Sequence, residues 1–418
     1  MTRSGSHADV RQLGLDAPAG TMLAAGAVLA VVGFGVFVAL LLGDDPGRAW
    51  RTYHINFLFF TGLSQGAIVF AATQKASKGV WAGSIIRFAE ATVAFLPISL
   101  LLFLVLFFGR LYLFPWIAHP TPARGTWLTT PWVFTRDLVA LVSVFSVAVA
   151  FVYYDLRPDV AHLKDRVTGW RRTVYQRLAG DYAGTPHEAA ETQRRLSVLA
   201  PVLIVVFAYA FSLIGFDLIM SLAPYWVSTL FGAFFFMGSF LNGLTTLGVM
   251  MVYWRKKLGL ESLIGRDQFH DLGKLIFGFS VFWAYLMFSQ VLVIWYGNLR
   301  EETSFVFQRL FDPQWRPIAV LVLVLVFLIP FWGLIWVKSK ITPITFTLFI
   351  SISLCGMWLE RYLLIQPSLA EHGPTFGVPE VGVTAGFLGL FLLAYGSFAQ
   401  TFPIVSPRLS AEATATHH

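Results

Sequence analysis

The sequence predicts an all-α integral membrane protein with about ten transmembrane helices. Two features of composition and one of pattern lead there. Of the 418 residues, 56% are hydrophobic and only 13% are charged, about half the ~25% charge of a typical globular domain. A water-soluble fold cannot hide that much apolar surface, so lipid must solvate much of the chain. The 40 Phe and 14 Trp suit lipid-facing helices with aromatic belts at the interfaces. Apolar runs recur at roughly the 20 residues that a helix needs to cross the hydrocarbon core. Strands of a membrane barrel would be shorter and would alternate, which excludes a barrel.

The elements follow in order. Residues 1–20 are polar, with Arg3, Asp9, Arg11 and Asp16. They lack the layout of a cleaved signal and read as an N-terminal tail. The apolar run 21–42 is long enough to be a permanent first span. Spans two to four fall at 53–73, 89–109 and 132–154, with Pro97 midway along the third. The one long polar stretch is 155–196. Within it, Asp159 to Leu178 reads as a basic helix with Val160, Leu163, Val167, Trp170 and Val174 on one stripe. Such a helix can lie on a leaflet or dock on a partner. Spans five to ten follow at 197–219, 226–253, 271–296, 317–337, 343–365 and 381–401, within a membrane region 197–402. Pro330 lies inside the eighth span, and 403–418 form a C-terminal tail.

Orientation comes from the loops. The second, fourth, sixth and eighth hold more than half of the 30 Lys and Arg residues, over twice as many as the odd-numbered loops. The basic side faces the cytoplasm, so both termini, the 155–196 loop included, are expected there. The same bias accounts for the net charge of +7, and nucleic acid is not an expected partner.

The chain carries little that can hold a redox centre or a metal. Cys355 is the only cysteine, which excludes an internal disulfide and a Cys-ligated iron–sulfur cluster. His54 and His270 begin spans on opposite sides, so no pair of histidines at one depth is expected to hold a b-type haem. There is no phosphate-binding Walker loop and no His-Glu-x-x-His helix. No metal site is expected.

Ionisable side chains inside spans are costly and mark functional sites by default. On the periplasmic side lie His54, Arg136, Asp137, Asp217, Glu360 and Arg361; on the cytoplasmic side lie Glu90, His270, Asp271 and Lys274. Asp271 and Lys274 are at i and i+3, a spacing that permits an ion pair. Two readings stay open. These groups form one polar half-site per face, for a polar head group or for protons, or they are ion pairs that fix helix register and snorkel out. Pro97 and Pro330 also leave open the broken helices of a secondary transporter.

Three stretches carry a family resemblance. They are Phe216-Asp217-Leu218-Ile219-Met220-Ser221-Leu222-Ala223-Pro224 with Tyr225 to Gly232; Asp271-Leu272-Gly273-Lys274 running through Phe282-Trp283 and Ser289-Gln290 to Trp295-Tyr296-Gly297-Asn298; and Trp358-Leu359-Glu360-Arg361-Tyr362-Leu363. They resemble the polysulfide-reductase-type, NrfD-like membrane subunits of alternative complex III, a bacterial quinol:electron-acceptor oxidoreductase. Length, Arg157-Pro158-Asp159 and Arg194-Arg195-Leu196-Ser197 are most similar to its F-type subunit. The quinol-oxidising paralogue has His-Leu-Gly-Arg where this chain has Phe107-Phe108-Gly109-Arg110. It thereby lacks the natural proton acceptor for a quinol hydroxyl.

The resemblance implies two four-helix bundles, spans 2–5 and 6–9, flanked by spans 1 and 10, in a bacterial inner membrane. The expected role is a non-catalytic subunit that scaffolds a quinol-oxidising respiratory or photosynthetic complex and relays protons, with no cofactor of its own, the half-paths being sorted by the side on which each ionisable group lies. The periplasmic half-path would use Asp137, Asp217 and Glu360, and the cytoplasmic half Glu90, His270, Asp271 and Lys274. The implied partners are the paralogous NrfD-like quinol-site subunit, an iron–sulfur subunit and haem c subunits, besides membrane lipid. The alternatives are a chain that itself binds quinol or menaquinol at His54, Arg136, Asp137 and Asp217, and a secondary transporter.

Overall fold

The computed structural model describes residues 17–120, 124–370 and 373–410; the two tails expected at the ends fall mostly outside them. Among the described residues ten helices are long and apolar enough to cross a membrane, and there is no strand. In chain order the helices are α1 (Gly20–Leu41), α2 (Pro46–Ala76), α3 (Ile86–Leu113), α4 (Thr130–Leu163), α5 (Gly169–Ala179), α6 (Pro186–Leu218) and α7 (Phe231–Leu258). They continue with α8 (Arg266–Gly297), α9 (Arg300–Leu310), α10 (Arg316–Leu334), α11 (Pro343–Leu369) and α12 (Val378–Thr401). All but α5 and α9 are spans. The face where α1 begins and α12 ends is called proximal below, and the opposite face distal.

The two central helices are the least lipid-like. α2 carries Thr52, His54, Asn56, Thr61, Ser64 and Gln65 among its apolar residues and is buried along its length. Polar side chains at that depth are tolerated only away from lipid. α1 is apolar except for Thr21 at its start, and mostly exposed. α2 and α7 cross in parallel at a small-residue contact: a Cβ on Gly66 would sit 2.2 Å from the Ser239 carbonyl oxygen, and one on Gly243 2.2 Å from the Ala67 nitrogen. Only glycine permits this approach, which is how membrane helices gain packing energy without a hydrophobic drive. Gly62-Leu63-Ser64-Gln65-Gly66 has the spacing of a serine-nucleophile elbow, yet it lies within a helix rather than on the sharp strand-to-helix turn that exposes such a serine.

Contacts repeat around this crossing. α6 packs on α4 and α2, as α11 packs on α10 and α7. α6 reaches across to α7 as α11 reaches across to α2. The bundles α2–α3–α4–α6 and α7–α8–α10–α11 are thus related by a pseudo-two-fold axis along the helices, with α1 and α12 paired beside the first. This is the expected pair of four-helix bundles with flanking spans.

The prolines change the helix type in the two spans that hold them. Before Pro97, α3 tightens to a 3₁₀ turn over Ala91–Phe95. Nearby, Tyr395 donates to the Phe88 carbonyl at 3.1 Å and accepts from Trp254 Nε1 at 3.2 Å. Before Pro330, α10 widens to a π turn over Val324–Leu328. Both adjustments relieve the missing proline N–H while neighbours satisfy the backbone.

Two expectations need correction. The basic helix placed at Asp159–Leu178 is two helices: α4 continues to Leu163 and α5 begins at Gly169, whose φ of +62° breaks the run. Val160, Leu163 and Val167 are buried, but Trp170 is 61% exposed, so the single stripe does not exist. Second, α2 starts at Pro46 rather than 53, so His54 lies more than two turns inside the helix.

Candidate functional site

Buried ionisable groups gather in three places. On the distal side of the first bundle, α4 supplies Arg136 and Asp137 and the end of α6 supplies Asp217, all buried. Arg136 grips the two carboxylate oxygens of Asp217 through Nε and Nη2. Trp127 closes the clamp: its indole N–H donates to Asp217 at 3.1 Å, its carbonyl accepts from Arg136 at 3.0 Å, and its ring lies 3.8 Å below the guanidinium. Ser221 donates to the Asp217 carbonyl and secures the helix end. Such a bidentate pair is strong and directional. Asp137 sits beside Asp217 without closing a full hydrogen bond. The adjoining cavity, walled by Trp127, Met220, Ser221 and Trp226 among others, holds about 20 Å³, room for one or two waters at ~10–15 Å³ each.

His54, buried on α2, packs its ring against Phe114 at 6.1 Å. Neither ring nitrogen has a hydrogen-bond partner, so it makes no hydrogen bond to Asp137 or Asp217.

The proximal side of the same bundle holds a larger network. Arg87, fully buried, bonds Glu90 at 2.6 Å and Asp159 at 2.7 Å and lies 3.3 Å from Asp155. Arg408 reaches Asp155 at 3.0 Å. A cavity of about 250 Å³ opens beside it, lined by Gln74, Lys75, Lys78, Glu90, Asp155 and Gln193 among others. That is space for roughly 20 waters by the same measure. Asp155 and Asp137 share α4 and are 18 residues apart, or about 27 Å at 1.5 Å per residue. The two clusters therefore sit near opposite edges of a hydrocarbon core about 30 Å thick.

The third place is distal in the second bundle. Glu360 on α11 is buried and pairs with Arg361 at 2.7 Å, while its Oε1 has no hydrogen-bond partner. It faces Trp283 and, with Gln290, Phe234 and Arg309, lines an apolar cavity of about 80 Å³. α9 roofs this cavity. Its Phe305 stacks on Trp226 at 3.7 Å, and Arg309 lies over Phe305 at 3.4 Å.

The structure thus unites Arg136, Asp137 and Asp217, as grouped in the sequence, but places Glu360 in the other bundle. It also separates Glu90 from His270, Asp271 and Lys274. Lys274 pairs with Asp271 at 2.6 Å as the spacing predicts, on the half-exposed start of α8.

Sequence reasoning missed Arg87, Asp155, Asp159, Arg408, Trp127 and Arg309. Arg87 and Arg309 fall between the apolar runs, where apolar periodicity gives them no inward partner, although Arg87-x-x-Glu90 has the i,i+3 spacing of a pair. No group of three or more His, Cys, Asp or Glu among the described residues is placed to hold a metal.

Comparison with curated proteins finds no match. The family model for polysulphide reductase, NrfD, matches residues 24–371, which spans both bundles and the three clusters except Arg408. The chain belongs to the NrfD family, whose members are membrane subunits of quinone-interacting oxidoreductase complexes and partner with iron–sulfur and other redox subunits.

Proposed function

We propose that this chain is the accessory, F-type membrane subunit of an alternative complex III, beside a paralogous NrfD-like subunit that carries the main quinol site. Iron–sulfur and haem c subunits would complete the complex, and the basic proximal face, with both termini, would lie in the cytoplasm of a bacterium. The observation that carries the reading is the clamp on Asp217. A carboxylate that activates a quinol needs a free oxygen within hydrogen-bond reach of the hydroxyl; Asp217 commits both of its oxygens to Arg136 and Trp127, which leaves Asp137 as the open carboxyl of this cluster. His54 does not replace the missing histidine, because it makes no hydrogen bond to either carboxyl.

The buried charges then serve protons. At the proximal face the ~250 Å³ cavity brings water to Glu90 and Asp155. At the distal face one guanidinium is set against two carboxyls, Asp137 and Asp217, so one proton completes the charge balance. Between them α2 offers buried Ser64 and Gln65, whose side-chain polar atoms have no protein partner, as expected where water binds. His270, Asp271 and Lys274 would belong to a surface ion-pair set outside this path.

The test is purification from native membranes in mild detergent, with mass spectrometry and a visible haem spectrum. Multihaem c-type and iron–sulfur subunits should co-purify. A lone, colourless chain would overturn the assignment. The pathway is tested by Asp137→Asn and Asp217→Asn: unchanged quinol turnover together with unchanged proton translocation would remove it.

A further inference from the structure

We infer that the proximal end of the second bundle is a binding site for the phosphate of an anionic phospholipid, formed by Lys340 and Lys274 over Gly273. The site lies apart from the proton groups named above.

It starts from a glycine. Asp271-Leu272-Gly273-Lys274 lies in the opening turns of α8, and the short helical turn Val337–Ile341 between α10 and α11 packs against that helix. A Cβ on Gly273 would sit 2.8 Å from Cγ of Lys340 and 2.9 Å from its Cδ. Only a bare backbone lets the lysine stem lie across α8 so closely. Lys340 is thereby just 6% exposed, unlike a lysine that snorkels its head into water. Its ammonium has no hydrogen-bond or ion-pair partner among the described residues. Its charged neighbour is another cation, Lys274, which itself takes Asp271 at 2.6 Å. His270 Nδ1 lies 3.8 Å from the same carboxylate. Burial and the charge of Lys274 hold Lys340 below the usual lysine range. A buried cation without a counter-ion is costly. The first bundle is the contrast: there the buried proximal cation Arg87 faces three carboxyls. The second bundle sets two lysines together at its proximal end and offers no carboxyl to Lys340.

The surroundings favour a lipid phosphate as the anion. The lysines sit where α10 ends at Leu334 and α11 begins at Pro343, at the level of the membrane surface. Trp332 and Trp336 are exposed there, as belt tryptophans at an interface are. Ile344 and Leu348, one turn apart on α11, are exposed too and give an acyl chain an apolar track. Lys338, exposed on the same short turn, adds a third cation, and the N-terminus of α11 adds partial positive charge. Basic sites between helices on the cytoplasmic side take anionic head groups, and the reading above places this face there. A free anion would gain nothing from the apolar rim.

The test is native mass spectrometry of the full-length chain released from detergent micelles, titrated with dioleoyl phosphatidylglycerol or with dioleoyl phosphatidylcholine. One phosphatidylglycerol should be retained about tenfold or more tightly than phosphatidylcholine, as two cations beside an anionic lipid give. Lys340→Met should abolish that preference. Lys274→Ala, at an exposed position, should weaken it several-fold, and so should Gly273→Ala, which keeps every charge and lifts the lysine stem. Circular-dichroism melts show which variants are folded. A photoactivatable phosphatidylglycerol should label 266–280 or 331–348. Equal retention of the two lipids, or a preference unchanged in folded Lys274→Ala and Gly273→Ala, would overturn the proposal. Displacement of phosphatidylglycerol by millimolar inorganic phosphate would overturn it in favour of a free anion. Carbodiimide coupling of Lys340 to a carboxyl of another subunit in the complex purified from native membranes would overturn it in favour of a protein partner.

Discussion

Replacing Arg87 by methionine tests the proximal network most directly. The substitution keeps most of the side-chain volume and removes one cation that faces Glu90, Asp155 and Asp159 at 2.6, 3.3 and 2.7 Å. Each such contact is worth roughly 4 kcal/mol of Coulomb energy at 4 Å and an effective dielectric of 20. Much of that sum is offset by the desolvation of Arg87 itself, which the variant no longer incurs. What remains is the penalty of leaving buried carboxyls uncompensated, about 3–5 kcal/mol for removal of one partner of a buried pair. Arg408 still balances Asp155, so the lower half of that range is expected. Unfolding in mixed micelles by denaturant titration reads the change. The triple variant Arg87→Met, Glu90→Gln, Asp159→Asn should recover at least half of the loss, because it removes the carboxyls along with their partner. A loss under about 1 kcal/mol, or a triple variant no more stable than the single one, would refute the reasoning that these charges act as one unit.

Three further outcomes are expected. Gly66→Ala should cost about 1–3 kcal/mol or more as an overpacking defect, because its Cβ would lie 2.2 Å from a backbone oxygen of α7 that cannot swing away; the same unfolding assay reads it, and a neutral result would mean that α2 and α7 part easily. Tyr395→Phe leaves the Trp254 N–H and the Phe88 carbonyl without their buried partner, at about 1–3 kcal/mol for each group left unpaired; tryptophan emission should report the changed Trp254. Trp127→Phe removes one N–H from Asp217 and should cost about 1 kcal/mol, and less than that in an Asp217→Asn background if the two act through the same clamp, a non-additivity that a double-mutant cycle measures.

What could be read from the sequence was periodic and local. Ten apolar runs announced ten spans, because the length of a bilayer-crossing helix is set by the solvent rather than by its neighbours. Asp271 and Lys274 were legible as a pair because three residues along a helix suffice to join them. Asp137 and Asp217 were grouped by depth, and the structure seats them side by side. Depth failed for Glu360, since two groups at one level can belong to different bundles, and membrane position says nothing of lateral distance. It failed again for Glu90, which joins Asp155 and Asp159 on α4 rather than His270 on α8. Arg87 and Arg309 were hidden for a different reason. A tally of loop charges treats every arginine at a span end as solvated, whereas these two turn inward, Arg87 to carboxyls far along the chain and Arg309 to the Phe305 carbonyl of α9 and the Leu364 carbonyl of α11. The break at Gly169 was missed because apolar spacing continued across it while the backbone did not.

The parallel relation of the two bundles has a consequence for traffic across the membrane. When two halves of a carrier are inverted copies, swapping their conformations turns an inward-open shape into an outward-open one. Here the counterpart helices α2 and α7 point the same way. An exchange of conformations between the bundles therefore maps each face onto itself, and an opening on one side stays on that side. Symmetry between the bundles therefore supplies no route from an opening on one face to an opening on the other.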